Sequence, residues 1–286
     1  MRGKRAASVG LGSYARDLIG DDTMNDTRPF AVVTGGSSGI GLELARQFAE
    51  NGHNVLIAAQ DSAELQQAQA QLTGGGATIT THASDLATEE GVDSLIGAIG
   101  DRAVDALCVN AGVGLGGRFT ETDLQRELGM SDLNCRGAVQ LSKAVVKVMV
   151  GRGRGRVLFT SSVAATMPDP FEAVYGGTKM FLRWFGQGLR EELKGTGVTV
   201  TVLMPSATET NFFHRAGLDD TKVGADKKDS AAEVAKDGFD AMMKGKDHVV
   251  GGSAKNLLQS LLSQITPDPL KAKMHRSMAE PGSGEE

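Results

Sequence analysis

Short apolar runs alternate with longer amphipathic runs along most of the chain. Seven runs are apolar, rich in β-branched residues and mostly continuous rather than alternating: 30–34, 55–59, 78–82, 106–109, 156–160, 198–203 and 248–250. Continuous runs of this length are typical of strands buried on both faces of a parallel sheet. The pattern therefore predicts about seven strands of one buried sheet.

Segments between these runs predict six helices, over 40–50, 63–72, 89–99, 122–150, 172–194 and 231–243. Gly52 and Gly195 stand just past two of the predicted helix ends, where a left-handed C-cap favours glycine. Alternation of strands and helices indicates right-handed βαβ units. We therefore expect an α/β fold, with a single domain over 28–252 in which helices cover both faces of a doubly wound parallel sheet.

The two ends of the chain depart from this alternation. Residues 1–27 are rich in glycine and charge and have no place in the strand–helix order. We expect them to be a disordered extension, or the result of a start assigned upstream of Met24. Residues 253–286 are expected to hold a C-terminal helix and a flexible tail, because from Lys271 the chain runs into Glu280-Pro281-Gly282-Ser283-Gly284.

Composition and charge exclude several classes of protein. The 286 residues are 40% apolar and 23% charged, as in soluble globular proteins, and the formal net charge of −5 argues against general nucleic-acid binding. Two cysteines and five scattered histidines support neither a disulfide framework nor a metal site. The chain has no apolar run of about 18 residues, and its start lacks the apolar core of a signal peptide. We expect a cytoplasmic protein with no metal, nucleic-acid or membrane partner.

A glycine-rich turn, Thr34-Gly35-Gly36-Ser37-Ser38-Gly39-Ile40-Gly41, joins the first predicted strand to the first helix. Glycines let the chain turn sharply and bring backbone N–H groups close to a diphosphate, and a helix N-terminus adds about half a positive charge. The glycine spacing differs from the common G-x-G-x-x-G pattern. The turn predicts dinucleotide binding, with a strand–helix turn that binds nothing as the alternative.

Residues at the ends of the second, third and fourth strands favour the same class of ligand. Gln60 supplies no acid to hold the ribose of an adenosine, although Asp61 follows at once, so NADP is favoured over NAD. No Arg or Lys stands at Ser38 or Gln60 to hold a 2′-phosphate. Asp85 could accept from an adenine amino group or cap a helix. The small residues of Asn110-Ala111-Gly112 could let a cofactor lie against the sheet or form an Asn turn.

Tyr175 and Lys179 are the candidate catalytic pair, since four residues along a helix place both on one face. A phenol has a pKa near 10 and needs about 4 kcal/mol of stabilisation of its anion to work near neutral pH, which an ammonium and an oxidised nicotinamide could supply. Ser162, at the end of the fifth strand, could donate to a substrate carbonyl. Each feature alone is more often structural, but their order after the glycine turn predicts catalysis.

These motifs resemble those of the short-chain dehydrogenase/reductase family, over about 28–252. Residues 34–41 resemble its cofactor motif, Asp85 its adenine-site acid, and Asn110-Ala111-Gly112 its Asn-Asn-Ala-Gly segment with Val109 in place of the first Asn. Ser162, Tyr175 and Lys179 match its catalytic Ser and Tyr-x-x-x-Lys, and Asn134 its helix Asn. The resemblance implies a Rossmann fold.

The resemblance also implies roles for these residues. Tyr175 exchanges a proton with the substrate oxygen, Lys179 holds the nicotinamide ribose and lowers the pKa of Tyr175, Ser162 polarises the carbonyl, and Asn134 holds a water that links Lys179 to solvent. The residues expected to contact NADP or NAD are Gly35, Ser37, Ser38, Gly39, Ile40, Gly41, Gln60, Asp85, Leu86, Asn110, Ala111, Gly112, Tyr175, Lys179, Pro205, Thr208 and Thr210.

The region after the sixth strand departs from the family pattern, because Pro205-Ser206 replaces the usual Pro-Gly. The segment that follows, 211–227, corresponds to a mobile substrate lid in the family. Phe212 and Phe213 at its base could line the pocket or anchor the loop in the core. Apolar residues near Ser162 are candidates for the substrate pocket: Val163, Ala164, Met167 and Phe171.

The sequence thus predicts an NAD(P)-dependent oxidoreductase that transfers a hydride between a nicotinamide cofactor and a secondary alcohol or ketone. The alternatives are a 3-ketoacyl reductase of lipid metabolism and a non-catalytic NAD(P)-binding sensor. The four intact catalytic residues argue against the sensor. The expected partner is a small-molecule substrate, whose identity stays open. By resemblance we also expect a homodimer or homotetramer paired through the helices predicted over 122–150 and 172–194.

Overall fold

The computed structural model describes residues 28–72, 76–252 and 266–285. The predicted extension over 1–27 lies outside the described residues, as does part of the predicted C-terminal region, 253–265. One sheet of seven parallel strands forms the centre, in the order β3-β2-β1-β4-β5-β6-β7. The strands are β1 (Phe30–Thr34), β2 (Asn54–Ala59), β3 (Ile79–Ala83), β4 (Val104–Val109), β5 (Gly155–Thr160), β6 (Val198–Pro205) and β7 (His248–Gly251). The predicted doubly wound sheet is confirmed.

Helices cover both faces of this sheet. They are α1 (Gly39–Glu50), α2 (Ser62–Leu72), α3 (Glu89–Ile99), α4 (Leu124–Ser131), α5 (Ala138–Arg152), α6 (Ala173–Glu192), α7 (Phe212–Ala216), α8 (Lys222–Ala225), α9 (Ala231–Met243) and α10 (Asp268–Ala279). One apolar core joins the sheet to α3, α5 and α6, and a second joins its other face to α1, α2 and α9. None of the helices in the described ranges is both long enough and apolar enough to cross a membrane.

The helix predicted as continuous over 122–150 is interrupted. A π-helical turn, Asp132–Gly137, separates α4 from α5. At Gly137 an added Cβ would lie 2.1 Å from the carbonyl oxygen of Leu86, so the helix passes unusually close to the segment after β3. This close approach depends on tertiary contacts, which the apolar periodicity of one helix does not record. The π turn carries Asn134, and such turns are frequent at functional sites.

The C-terminal segment is more ordered than its composition predicts. A flexible tail was expected from Lys271, but Lys271 lies inside α10, and a 3₁₀ turn, Ser283–Glu285, follows. The backbone N–H of Gly284 donates to the carbonyl oxygen of Asp220 (2.8 Å). Ala279 is fully buried. Because the other residues of α10 are partly or wholly exposed, the hydrophobic pattern alone gives little sign of this helix.

Candidate active site

A cleft of about 1350 Å³ opens along the carboxyl edge of the sheet. In an open parallel sheet this edge is where ligands bind, at the point where the strand order reverses. The reversal lies between β1 and β4. The cleft is lined by every residue predicted to contact the cofactor, together with Ser162. Sequence positions from Gly35 to Thr210 thus meet in one groove.

The glycine turn has the geometry of an anion cradle. Gly35 and Gly39 have φ values of +64° and +55°, in the left-handed region that favours glycine. No side chain caps α1 at Ser38, so the first backbone N–H groups of the helix face the cleft without a capping side chain. A Cβ at Gly39 would lie 2.8 Å from Cγ2 of Thr210. The turn and the loop after β6 therefore pack closely around the space for a diphosphate.

Asn110 joins the strand ends behind this cradle. Its Nδ2 donates to the carbonyl oxygen of Thr34 (3.1 Å), and its Oδ1 accepts from the hydroxyl of Thr160 (3.0 Å). The hydroxyl of Thr34 in turn accepts from the backbone N–H groups of Asn110 (2.9 Å) and Ala111 (3.0 Å). Asn110 thus fixes β1, β4 and β5 relative to one another, a structural role in addition to the predicted cofactor contact.

At the adenosine end of the cleft, polar side chains surround the end of β2. Asp61 accepts from the backbone N–H groups of Ala63 (2.7 Å) and Glu64 (2.9 Å), so its carboxylate begins α2. Gln60 donates to Asp85 (3.3 Å). The buried hydroxyl of Ser84 lines the cleft and has no hydrogen-bond partner among the residues that the structure describes. An unpaired buried hydroxyl beside an open groove is what a site for a polar ligand such as adenosine requires.

Tyr175 and Ser162 meet on the other side of the cleft. Tyr175 is 8% exposed, and its phenol lies beside the Ser162 hydroxyl. The Ser162 oxygen accepts from the backbone N–H of Ala164 (3.1 Å), which leaves its hydrogen to donate. Burial raises the pKa of Tyr175, and the charges of Glu172 and Asp169 raise it further, whereas the Ser162 hydroxyl lowers it. Near neutral pH the protein therefore holds Tyr175 as a protonated acid.

Lys179 is buried one helical turn beyond Tyr175. Its Nζ donates to the carbonyl oxygen of Thr160 (3.1 Å) and lies 5.7 Å from the centre of the Tyr175 ring. Burial lowers the pKa of Lys179 to about 8, against a smaller opposing effect of Cys135. Burial of the phenol is the main cause that acts on the pKa of Tyr175, and the expected lowering of this pKa by Lys179 stays a prediction.

Asn134 is completely buried and does not line the cleft. Its Nδ2 donates to the carbonyl oxygen of Val113 (3.0 Å) and the hydroxyl of Thr178 (2.9 Å), and its Oδ1 accepts from the N–H of Val113 (3.0 Å). With both amide hydrogens used in this way, the side chain fixes the segment after β4 against α6. The expected contact of Asn134 with a water beside Lys179 stays a prediction.

The substrate end of the cleft is largely apolar. Phe212 packs against Tyr175, with ring centres 5.2 Å apart, while Phe213 is buried beneath the loop. The two residues thus combine the pocket and anchor roles left open by the sequence. Val163, Ala164 and Met167 line the cleft as expected. Phe171 does not, because its ring lies between the guanidinium groups of Arg118 and Arg276 (5.6 and 5.4 Å).

Several residues of the cleft were not found from the sequence. Helix α10 contributes Lys271, Met274, His275 and Met278, and the buried Glu172 lies opposite. Across the cofactor end, Glu64 of α2 accepts from Arg215 (2.6 Å) and from Ser37 (3.1 Å) and so ties the loop after β6 to the glycine turn. No local sequence motif marks either set of contacts, because the residues that meet in space are far apart in the chain.

Comparisons with known proteins agree with this geometry. A family model described as short chain dehydrogenase matches residues 29–220. The 1-deoxy-11-beta-hydroxypentalenate dehydrogenase of Streptomyces exfoliatus is 35% identical over 72% of this chain and 76% of that protein. The NADP-dependent 3-hydroxy acid dehydrogenase YdfG of Salmonella typhi is 32% identical over 72% of this chain and 84% of that protein.

A solved structure extends the likeness to the fold. The short-chain dehydrogenase from Sphingobium yanoikuyae in complex with NADPH superposes with a TM-score of 0.74 at 26% identity, covering 83% of this chain and 96% of that one. The family match covers most of the described chain and includes the glycine turn and the Tyr175–Lys179 pair. The chain therefore belongs to the short-chain dehydrogenase/reductase family and is an NAD(P)-dependent oxidoreductase.

Proposed function

We propose that this enzyme interconverts a ketone and a secondary alcohol, with Tyr175 as the acid–base group. The observation that carries the proposal is the buried phenol, beside Ser162 and one turn from Lys179, in the same cleft as the glycine turn. NADP or NAD, when bound, supplies or accepts the hydride. The unpaired Ser84 hydroxyl and the uncapped start of α1 support binding of such a dinucleotide in this groove.

Each catalytic side chain then acts on a defined atom. Ser162 donates a hydrogen bond to the substrate oxygen and holds it beside the phenol. Tyr175 gives its proton to that oxygen during reduction and takes it back during oxidation. Lys179 has one N–H bound to Thr160, which leaves two for a ribose hydroxyl. Asn134 keeps the segment after β4 in place and does not itself touch the reacting atoms.

The substrate class follows from the walls of the cleft. Phe212 packs against Tyr175. The cleft is also lined by apolar side chains of Val163, Met167, Met274 and Met278. A ketone with an aliphatic or aromatic body fits this lining. The names of the relatives, a 3-hydroxy acid dehydrogenase and a 1-deoxy-11-beta-hydroxypentalenate dehydrogenase, agree with a small free substrate. A 3-ketoacyl thioester is the alternative that the assay below separates.

We expect NADPH to bind about tenfold more tightly than NADH, a difference of about 1.4 kcal/mol. Gln60 brings no carboxylate to the ribose, and the carboxylate of Asp61 is engaged at the start of α2. Titration of the nicotinamide fluorescence with both cofactors measures the ratio. Gln60→Asp should reverse it, because an acid at this position accepts from a ribose 2′-OH and repels a 2′-phosphate.

The same protein then goes into a substrate panel. Oxidation of NADPH by free ketones, with no rate on 3-ketoacyl thioesters, supports the proposal. A strong preference for the thioesters would favour the ketoacyl reductase instead. Cofactor binding with no turnover on any carbonyl or alcohol would favour the sensor. Tighter binding of NADH by the native protein would contradict the cofactor preference alone.

We also propose that α4–α6 pair two copies of this chain. Trp184 and Phe181 on α6, Val148 on α5 and Leu128 on α4 are 62%, 39%, 56% and 49% exposed. Exposed apolar patches commonly mark protein–protein contacts. Trp184→Glu should convert a dimer or tetramer to monomers in light scattering after gel filtration. Glu90→Gln, on the exposed side of α3, is the control. A monomeric native protein would contradict the pairing.

A further inference from the structure

Two buried carboxyl groups stand beside Tyr175 and have no part in the reaction described above. Asp169 and Glu172 are 5% and 7% exposed. Both oxygens of Asp169 are buried, and no group in the described part of the chain forms a hydrogen bond with them. A Cβ at Gly176 would lie 1.8 Å from Oδ2 of Asp169, so this carboxyl group is packed directly against the first turn of α6, next to Tyr175. Buried carboxylates are costly unless a counter-charge or a proton accompanies them.

That partner comes from the other end of the chain. Helix α10 places the imidazole of His275 over the two groups, with Nε2 at 3.4 Å from Oδ1 of Asp169 and 3.6 Å from Oε2 of Glu172. Nδ1 of His275 lies 3.2 Å from the carbonyl oxygen of Pro170. A carbonyl oxygen only accepts, so Nδ1 carries a hydrogen. Nε2 is therefore the atom that faces both carboxyl groups.

This arrangement requires a shared proton. If the imidazole were neutral and both carboxyl groups ionised, the lone pair of Nε2 would point at two negatively charged oxygens. A proton on Nε2, or on either carboxyl group, removes that repulsion and leaves the three groups with one negative charge rather than two. Burial raises the pKa of Glu172 to about 7 and is the main cause that raises the pKa of Asp169 to about 8. Burial also lowers the pKa of His275. Because Nε2 lies 3.4 and 3.6 Å from the two carboxyl groups, a proton on any one of the three groups changes the proton affinity of the others.

The backbone around this set is held firmly. Phe171 has a φ of +68°, which is strained for a residue with a side chain. Its carbonyl oxygen accepts a hydrogen bond from the backbone N–H of Gly117 (2.9 Å). Lys271 of α10 donates to the carbonyl oxygen of Thr166 (3.2 Å). The charged groups on the elements that pack here are Asp169, Glu172, Arg118, Lys271, Arg276 and Glu280.

The charge of the set acts on the phenol. Negative charge on Glu172 and on Asp169 opposes ionisation of Tyr175, in addition to the effect of burial. Every proton that leaves the set therefore makes the phenol a weaker acid. His275 allows the three groups to keep one proton to higher pH. Their negative charge then weakens the acidity of the phenol less over the pH range in which the enzyme works.

We propose that His275, carried to the site by the C-terminal helix α10, is a positioning residue of the reaction that holds a proton on the buried Asp169–Glu172 pair and so sets the charge beside Tyr175. The role rests on the proposed acid–base function of Tyr175. It gives α10 a part in the chemistry, besides its part in lining the cleft. Loss of His275 and loss of Glu172 should then act on the phenol in opposite directions.

The test uses Tyr175 as its own probe. The chain has two tyrosines, so in full-length protein carrying Tyr14→Phe a ¹³C label on the hydroxyl-bearing ring carbon reports Tyr175 alone. The label is titrated by NMR with and without saturating NADP⁺. In the NADP⁺ complex, His275→Gln should move the midpoint up by about one pH unit, and Glu172→Gln should move it down by about one, the size expected for one unit charge nearby in a protein interior. Lys273→Gln, an exposed charge change on the same helix, is the matched control and should move nothing.

The proposal would be overturned if Tyr175 titrated with the same midpoint in the parent protein, His275→Gln and Glu172→Gln. The proposal would also be overturned if the Tyr175 midpoint moved in the same direction in both variants. A structural disturbance could produce that result, whereas the change in charge predicts opposite directions. The wild-type protein gives a check that needs no variant: imidazole ¹⁵N shifts must show a hydrogen on Nδ1 of His275, and a neutral Nε2–H tautomer is incompatible with the shared proton. Full turnover by Tyr175→Phe would refute the acid–base function, a result distinct from any of these.

Discussion

Replacing Tyr175 with phenylalanine is expected to lower kcat by about 10²–10⁴-fold, the usual contribution of a positioned general acid or base. The change removes one hydroxyl group and keeps the ring, which packs against Phe212 in the wild-type protein. The fold and the glycine turn should therefore be unaffected. Steady-state kinetics of NADPH oxidation with an accepted ketone, together with the fluorescence titration for NADPH, separate the loss of turnover from any loss of binding.

The chain provides its own matched control for this variant. Tyr14→Phe makes the same chemical change at the other tyrosine, far from the motifs of the cleft in sequence. It should retain wild-type kcat and wild-type affinity for NADPH. If Tyr175→Phe kept more than about a tenth of the wild-type kcat, a loss smaller than general acid–base catalysis provides, the proton would have to come from another group, such as water held by Ser162.

On the proposed acid–base role of Tyr175, the environment of the phenol predicts a different pH dependence for each direction of the reaction. Burial and the neighbouring carboxyl groups raise the pKa of Tyr175 above its ordinary value, so the protonated form persists well above neutral pH. The protonated phenol is the form that donates to a carbonyl oxygen. Oxidation of an alcohol needs the opposite form, so its rate should increase with pH across the range in which reduction stays constant. A positively charged nicotinamide is expected to lower the pKa of Tyr175 and so to bring the ionised phenol closer to neutral pH.

The sheet and the cofactor cleft could be predicted because their signals are local. Each strand appears as a short apolar run, and each motif residue stands at the end of such a run. Since the carboxyl ends of parallel strands share one edge, Gly35, Asn110, Ser162 and Thr208 had to meet once the strand order was known. The Tyr175–Lys179 pair needed only the spacing of one helix.

The rest of the site depends on contacts that leave no local trace. His275 meets the carbonyl oxygen of Pro170 across 105 positions of sequence. Arg215 reaches Glu64 across 151 positions. The π turn that carries Asn134 arises where the helix passes close to Leu86, and the helical periodicity on either side continues through it. Asp61 could have served the ribose or the start of α2, and only the folded backbone shows that it caps the helix.

Gly41→Ala is expected to be the most damaging small substitution in the glycine turn. A Cβ at Gly41 would lie 2.0 Å from the carbonyl oxygen of Gly35 and 2.5 Å from Nδ2 of Asn110. These distances are far below the van der Waals contact distance, and the nearer atom belongs to the backbone. The first turn of α1 therefore has to move away from Gly35. Overpacking of this kind costs about 1–3 kcal/mol. The same movement displaces the N–H groups that would bind the diphosphate, so the affinity for NADPH should fall by more than about tenfold.

Gly97→Ala makes the same chemical change where the structure leaves room. Gly97 lies on the exposed side of α3, and a Cβ there would meet nothing within 4 Å. Alanine at this position should stabilise the protein by about 0.4–1 kcal/mol, because it restricts the unfolded chain and favours helix. Urea unfolding measures both free energies, and fluorescence titration measures both affinities. A Gly41→Ala protein that bound NADPH as tightly as the Gly97→Ala protein would show that the diphosphate does not rest on this turn.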